Sequence, residues 1–215
     1  MIRLSQGRAA LFAAIAATVA IDPALAHHVM GGAMPATLGE GLLSGLGHPI
    51  IGLDHLAALV GAGLLAARMR RGLALPILFV IAMAAGVAAH LARFDVPYSE
   101  ALVALSVVGL GAAAVSGSRV PVRLAAFLFA AAGAVNGYAL GESIVGAEPT
   151  PLAAYLVGLV AVQAAIAACV ALVARALLRR TPQPAATGLR LAGAAVALVG
   201  VAVLALGQIA GAWPA

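Results

Sequence analysis

An all-α, polytopic integral membrane bundle, six transmembrane helices after a cleaved signal peptide, is the fold class this sequence predicts, and three observations predict it. Apolar residues make up 64% of the chain and charged residues only 9%, with a mean hydropathy of +1.13, which excludes a soluble globular domain of ordinary composition. Six apolar segments recur, at about 48–67, 73–93, 98–116, 121–141, 151–178 and 189–212, each near the roughly 20 residues that carry a helix across a bilayer. The basic residues are all arginine and collect at alternate junctions: Arg68, Arg70 and Arg71; Arg119 and Arg123; Arg175, Arg179, Arg180 and Arg190. Only Arg93 lies at the other set of junctions. Nine against one is a positive-inside bias that makes these three junctions cytoplasmic and places both mature termini outside an inner, plasma membrane.

Residues 1–26 read as the signal: Arg3 and Arg8 precede an apolar core from Ala9 to Ile21, and Ala24-Leu25-Ala26 forms an Ala-x-Ala cleavage site. Cleavage leaves residues 27–215 as a single transmembrane domain beginning at His27; an uncleaved anchor is the alternative. From His27 to Leu46 the chain is Gly-rich and polar enough to stay outside. His27 and His28, beside a free amine and near Met30 and Met34, suit a copper or nickel ion, or else form a flexible leader with chance histidines. Gly41 to Gly45 predicts a short interfacial or re-entrant helix.

The first span opens on Gly47-His48-Pro49-Ile50-Ile51-Gly52-Leu53-Asp54-His55. Pro49 suits a first helical turn. His48 and His55, seven apart, share a face of that helix, with Asp54 about a third of a turn away. Two imidazoles and a carboxylate are half a coordination sphere for nickel, cobalt, copper or zinc. The plainer reading has His48 capping the helix and Asp54 bonding a neighbour, but ionisable groups inside membrane helices are costly and mark pathways or sites.

In the second and third spans, His90 and Glu100 lie on either side of a short turn at Phe94 to Pro97, which brings them to similar depth where both can face His48, Asp54 and His55. A snorkelling interfacial residue is the alternative for His90. The fourth span carries Gly133, Gly137 and Gly141 at four-residue spacing, a close-packing face, flanked by Asn136 and Tyr138 and ending at Glu142. The fifth holds Gln163, an amide that needs a partner, and Cys169, a small packing residue. Gly193, Gly200 and Gly207 form a seam in the sixth, and Trp213 anchors its outer end. Glu40, Asp54, Asp95, Glu100, Glu142, Glu148 and all five histidines fall toward the external side, so an arriving cation meets negative potential and N/O ligands.

The nonapeptide resembles the signature of the HupE/UreJ family of nickel/cobalt permeases, His-Pro-x-x-Gly-x-Asp-His leading into a transmembrane helix, at every fixed position. Pro97, Glu100 and Ser106-Val107 match the family's Pro-x-x-Glu segment and later Ser-Val pair. Where many members read His-Gly-x-Ala-His-Gly in the fourth mature helix, this chain reads Asn136-Gly137-Tyr138-Ala139-Leu140-Gly141, which keeps the frame without the imidazoles and offers Asn136 as a neutral substitute ligand. The resemblance implies a permease for nickel or cobalt.

The expected function is a secondary permease for a first-row divalent cation, taken from outside, with the ion as cargo, no prosthetic group and no enzymatic activity. The chain has neither a Walker A loop nor a single lysine, so it has no P-loop of its own. A copper transporter is one alternative. An intramembrane zinc hydrolase is another, though no His-Glu-x-x-His is present; a non-transporting metallo-assembly subunit is a third. The pI near 10.7 reflects topology and not nucleic acid, since the arginines are scattered between apolar segments. Bilayer and metal ion are the partners, with homo-oligomerisation left open.

Overall fold

The computed structural model describes residues 33–69 and 74–209, and every regular element among them is helical. In chain order these are α1 (Leu38–Ile51), α2 (Leu53–Ala67), α3 (Ala74–Leu91), α4 (Ser99–Ser116) with a 3-10 turn at Gly117–Arg119, α5 (Val122–Glu142), α6 (Pro149–Arg180) and α7 (Pro182–Ile209). The last five are long and apolar enough to cross a membrane, and α1 with α2, bent by 76°, supplies a sixth crossing if taken as one span. The expected signal, His27, His28 and Trp213 lie outside the described residues.

The first span departs from expectation. It is two helices broken at Gly52, not one helix over 48–67, and Pro49 sits near the end of α1, not in a first turn. Its start at Leu38 follows from a capping box: the Thr37 hydroxyl accepts the Glu40 N–H at 3.2 Å, while the Glu40 carboxylate accepts the N–H groups of Ala36 and Thr37 at 2.8 and 3.2 Å. Glu40 thus caps a helix. The break has a local cause, because Pro49 brings no N–H to the ladder and Gly52 turns extended, at φ −72° and ψ 105°. Gly52 N–H then closes α1 on the His48 carbonyl at 3.1 Å, and Leu56 N–H restarts the ladder on the Gly52 carbonyl at 2.9 Å. A β-carbon at Gly52 would lie 2.8 Å from the His55 ring and 3.3 Å from Asp54 Oδ1, so the position is confined to glycine by close approach.

The other spans match their expected segments closely, except at the arginine end. There α6 continues to Arg180 and α7 begins at Pro182, so Arg175, Arg179, Arg180 and Arg190 are helical and the junction is Thr181 alone. Arginine is a good helix former, and Pro182 both closes α6 behind it and starts α7. The guanidiniums also cap neighbours: Arg175 donates to the carbonyls of Ala66 and Met69 at 3.2 and 3.0 Å, and Arg68 to that of Ala114 at 3.3 Å.

Glycines set the packing, as they do where lipid removes the hydrophobic drive between helices. Gly133 and Gly137 of α5 lie on the carbonyls of Phe79 and Met83 in α3, and Gly86 of α3 lies on that of Ala134. Gly193 and Gly200 of α7 meet the α4 backbone, while Gly41 and Gly45 of α1 lie on the carbonyls of Pro151 and Tyr155 in α6. Large apolar side chains such as Ile77, Ile81, Phe127 and Leu172 face outward, as a lipid-facing surface requires. Inside, one apolar cluster includes Leu59, Val107 and Ala132, and a second includes Leu140, Tyr155 and Leu159. Asn136 stands between them, one turn from Ala132 and one from Leu140.

Candidate metal centre

The 76° bend at Gly52 brings the last turn of α1 and the first turn of α2 together. His48 and His55, 2% and 3% exposed, end with ring centroids 6.1 Å apart and planes at 76°. On an unbroken helix, seven residues would separate them by about 10.5 Å along the axis. The pair expected from helical spacing therefore exists, but a break assembles it.

Each ring is held at Nδ1. Asn136, 1% exposed, donates both amide hydrogens, to the Ala132 carbonyl at 2.8 Å and to Ser106 Oγ at 3.1 Å, and Ser106 donates onward to the Val103 carbonyl at 2.7 Å. Its Oδ1 is therefore the atom 2.8 Å from His55 Nδ1, and only an Nδ1–H can donate to it. The tautomer follows from this network. The lone pair sits on Nε2, which is buried and meets no hydrogen-bond partner among the described residues. A ring N–H tied to an amide oxygen while the other nitrogen is presented is how ligating histidines are oriented.

His48 is held in parallel. Its Nδ1 lies 3.1 Å from Ser143 Oγ and 3.4 Å from the Tyr155 hydroxyl. Both hydroxyls donate to the Leu140 carbonyl, at 3.1 and 2.8 Å, which is among the final carbonyls of α5 that helix geometry leaves over. These contacts hold the His48 ring at Nδ1, with the donor in each set by its tautomer. Asp54, half-buried in the first turn of α2, accepts the His55 N–H on Oδ1 at 2.8 Å, so it fixes the turn that carries His55.

The remaining candidates are not gathered here. His90 packs on Tyr138 with centroids 4.5 Å apart and lies against Gly141, on the α3-facing side of α5. That side is about a quarter turn from Asn136 and Leu140. The Phe94–Pro97 turn forms as expected, tied down by the Tyr138 hydroxyl, which donates to the Phe94 carbonyl at 2.8 Å and accepts the Val96 N–H at 3.1 Å. Two non-glycine residues there, Arg93 and Tyr98, take left-handed φ of 63° and 58°. Glu100 is half-buried at the start of α4, about 9 Å along the axis from Ser106, and Glu142 is exposed. Among the described residues, no group of three His, Cys, Asp or Glu stands ready to enclose a metal ion.

Sequence reasoning missed Ser143 and Tyr155 as holders of His48. The available signal was chemical: a tyrosine within an apolar helix needs a partner for its hydroxyl.

A family model described as HupE / UreJ protein matches residues 15–203. The chain belongs to the HupE/UreJ family. Within it, the protein called Protein HupE from Rhizobium leguminosarum bv. viciae is 32% identical over 188 residues, which is 85% of this chain and 91% of that one. No solved structure matches. This HupE/UreJ chain is a multi-pass helical membrane protein.

Proposed function

We propose that this protein is a secondary permease for a first-row divalent cation, nickel or cobalt first, and that His48, Asp54 and His55 form its primary site, entered from outside. The observation that carries the reading is His55 Nε2, a lone pair held in a fixed direction and buried without a partner among the described residues. Leaving such a group unmet costs about 1–3 kcal/mol, and a passing cation meets it. Imidazole suits late first-row divalent ions, whereas a copper(I) site wants sulfur. Cys169, the chain's single cysteine, lies exposed beside Leu64 and Val173, away from these histidines.

A site of two imidazoles, completed by Asp54 and water, also fits transport better than storage, since a conducting site binds well enough to load and weakly enough to release. His90 and Glu100 act as auxiliary groups toward the mouth, with Glu142 nearby on the same side. Asn136 supports the site by orienting His55. The arginine bias supports mature termini outside and the arginine end in the cytoplasm.

Proteoliposomes loaded with a metal-sensitive dye test this reading. The unsubstituted protein should admit nickel or cobalt faster than zinc or copper, and Asp54→Asn should reduce that rate to the protein-free background with unchanged incorporation. Dye quenching equal in protein-free and protein-containing vesicles for all four ions would remove the assignment.

A further inference from the structure

Gln163 of α6 is 1% exposed, and its Nε2 meets no hydrogen-bond partner among the described residues. The Gln163 NH2 group so placed lacks the acceptor that buried polar groups in membrane helices normally find. Its position follows from two close approaches on either side of it along α6. Outward, Gly45 of α1 lies on the Tyr155 carbonyl and 2.9 Å from the Leu159 nitrogen, measured from where a β-carbon would stand. Inward, Gly63 of α2 stands in the same way 2.9 Å from the Ala167 carbonyl. Both helices therefore advance along α6 in the same direction. Gln163, between the two approaches, falls level with the Gly52 break and the first turn of α2, the turn that carries Asp54 and His55.

We infer that Gln163 is the next polar station on the ion path, an amide that takes the partly hydrated cation, or its bound water, inward of His55. This rests on the permease reading above. The chemistry suits the place: a carboxamide rotates to present either oxygen or nitrogen, so it can meet a cation directly through its oxygen or hold its water shell, and as a neutral, weaker ligand it releases what imidazole has captured. Broken membrane helices are where substrate ions are handled beside polar groups of intact neighbours. Gln163 is such a group on an intact helix facing a break, one turn past Leu159 and two past Tyr155, whose hydroxyl touches His48.

The experiment separates capture from passage. Purified Gln163→Leu should bind cobalt within about twofold of the unsubstituted protein, while uptake into proteoliposomes falls about tenfold or more, the scale of one lost polar contact. Uptake by Gln163→Leu within twofold of the unsubstituted rate overturns the inference and leaves the permease reading intact. No uptake by the unsubstituted protein overturns both. Should Gln163→Leu fail to accumulate, Gln163→Cys in a Cys169→Ser background reports independently. A charged, membrane-impermeant methanethiosulfonate should react with it, and more slowly when cobalt is present; an unreactive thiol there places residue 163 off the path and defeats the inference.

Discussion

His55 and His90 are both partly or wholly enclosed imidazoles beside α5, and they are held in opposite ways. His55 is fixed through its Nδ1 by Asn136, itself fixed by two donated hydrogen bonds, so a defined lone pair is presented. His90 is held by a tilted ring contact with Tyr138, planes at 53°, and its buried Nδ1 has no partner among the described residues. Ring packing places a ring without selecting which nitrogen carries the proton. Hydrogen bonding at one nitrogen does both, and that difference separates a prepared ligand from a histidine that lines a wall.

The widest test of this contrast replaces each ring by alanine. His55→Ala should lower nickel or cobalt uptake about 100-fold or more, as loss of a primary ligand does, while His90→Ala should cost no more than about fivefold, since an auxiliary group contributes a fraction of one contact. Equal losses in radiolabelled-ion uptake would erase the distinction. A narrower test leaves both rings in place. Asn136→Ala frees the His55 tautomer and should cost about 10-fold in metal affinity, within the range for groups that orient ligands, as read by competition against a chelator dye; full affinity in that variant would show that Asn136 merely packs. The smallest effect belongs to the His90 side. Tyr138→Phe keeps the ring contact and removes the bonds to Phe94 and Val96, which should lower stability by about 1–2 kcal/mol. Thermal unfolding in detergent reads that loss, while the uptake rate should stay within twofold.

These contrasts were unequally legible in the chain. Span number and approximate limits were readable because length and hydropathy constrain a membrane helix so tightly. His48, Asp54 and His55 stood out in the chain because charge and imidazole are rare at such depth. Their arrangement was not, since Pro49-Ile50-Ile51-Gly52 reads equally as a helix continuing or ending. A capping box at Thr37-Leu38-Gly39-Glu40 was in plain view, however, and correctly weighed would have started α1 ten residues before His48. Nor could spacing show that His90 faces α5, because the face a helix presents is decided by glycines on its partner, here Gly137 and Gly141. Ser143 and Tyr155 reach His48 only through tertiary contact.

The glycine contacts also say how such a bundle can move. Along α3 with α5, α4 with α7 and α1 with α6, backbone rests on backbone, so each couple has almost nothing compressible between its members and travels as one body. The glycines of α2 meet mostly branched side chains, Leu110 and Val196 at Gly61 and Val170 at Gly63, and such contacts can slide by changing rotamer. Between α2 and the rigid couple of α1 and α6 stands Gly52, whose lack of a side chain lets the backbone pivot without striking His55. A tilt of α2 about that residue would draw the His55 ring away from Asn136, breaking the bond that fixes its lone pair, and so would weaken the grip on the ion in the same stroke that opens the way past it.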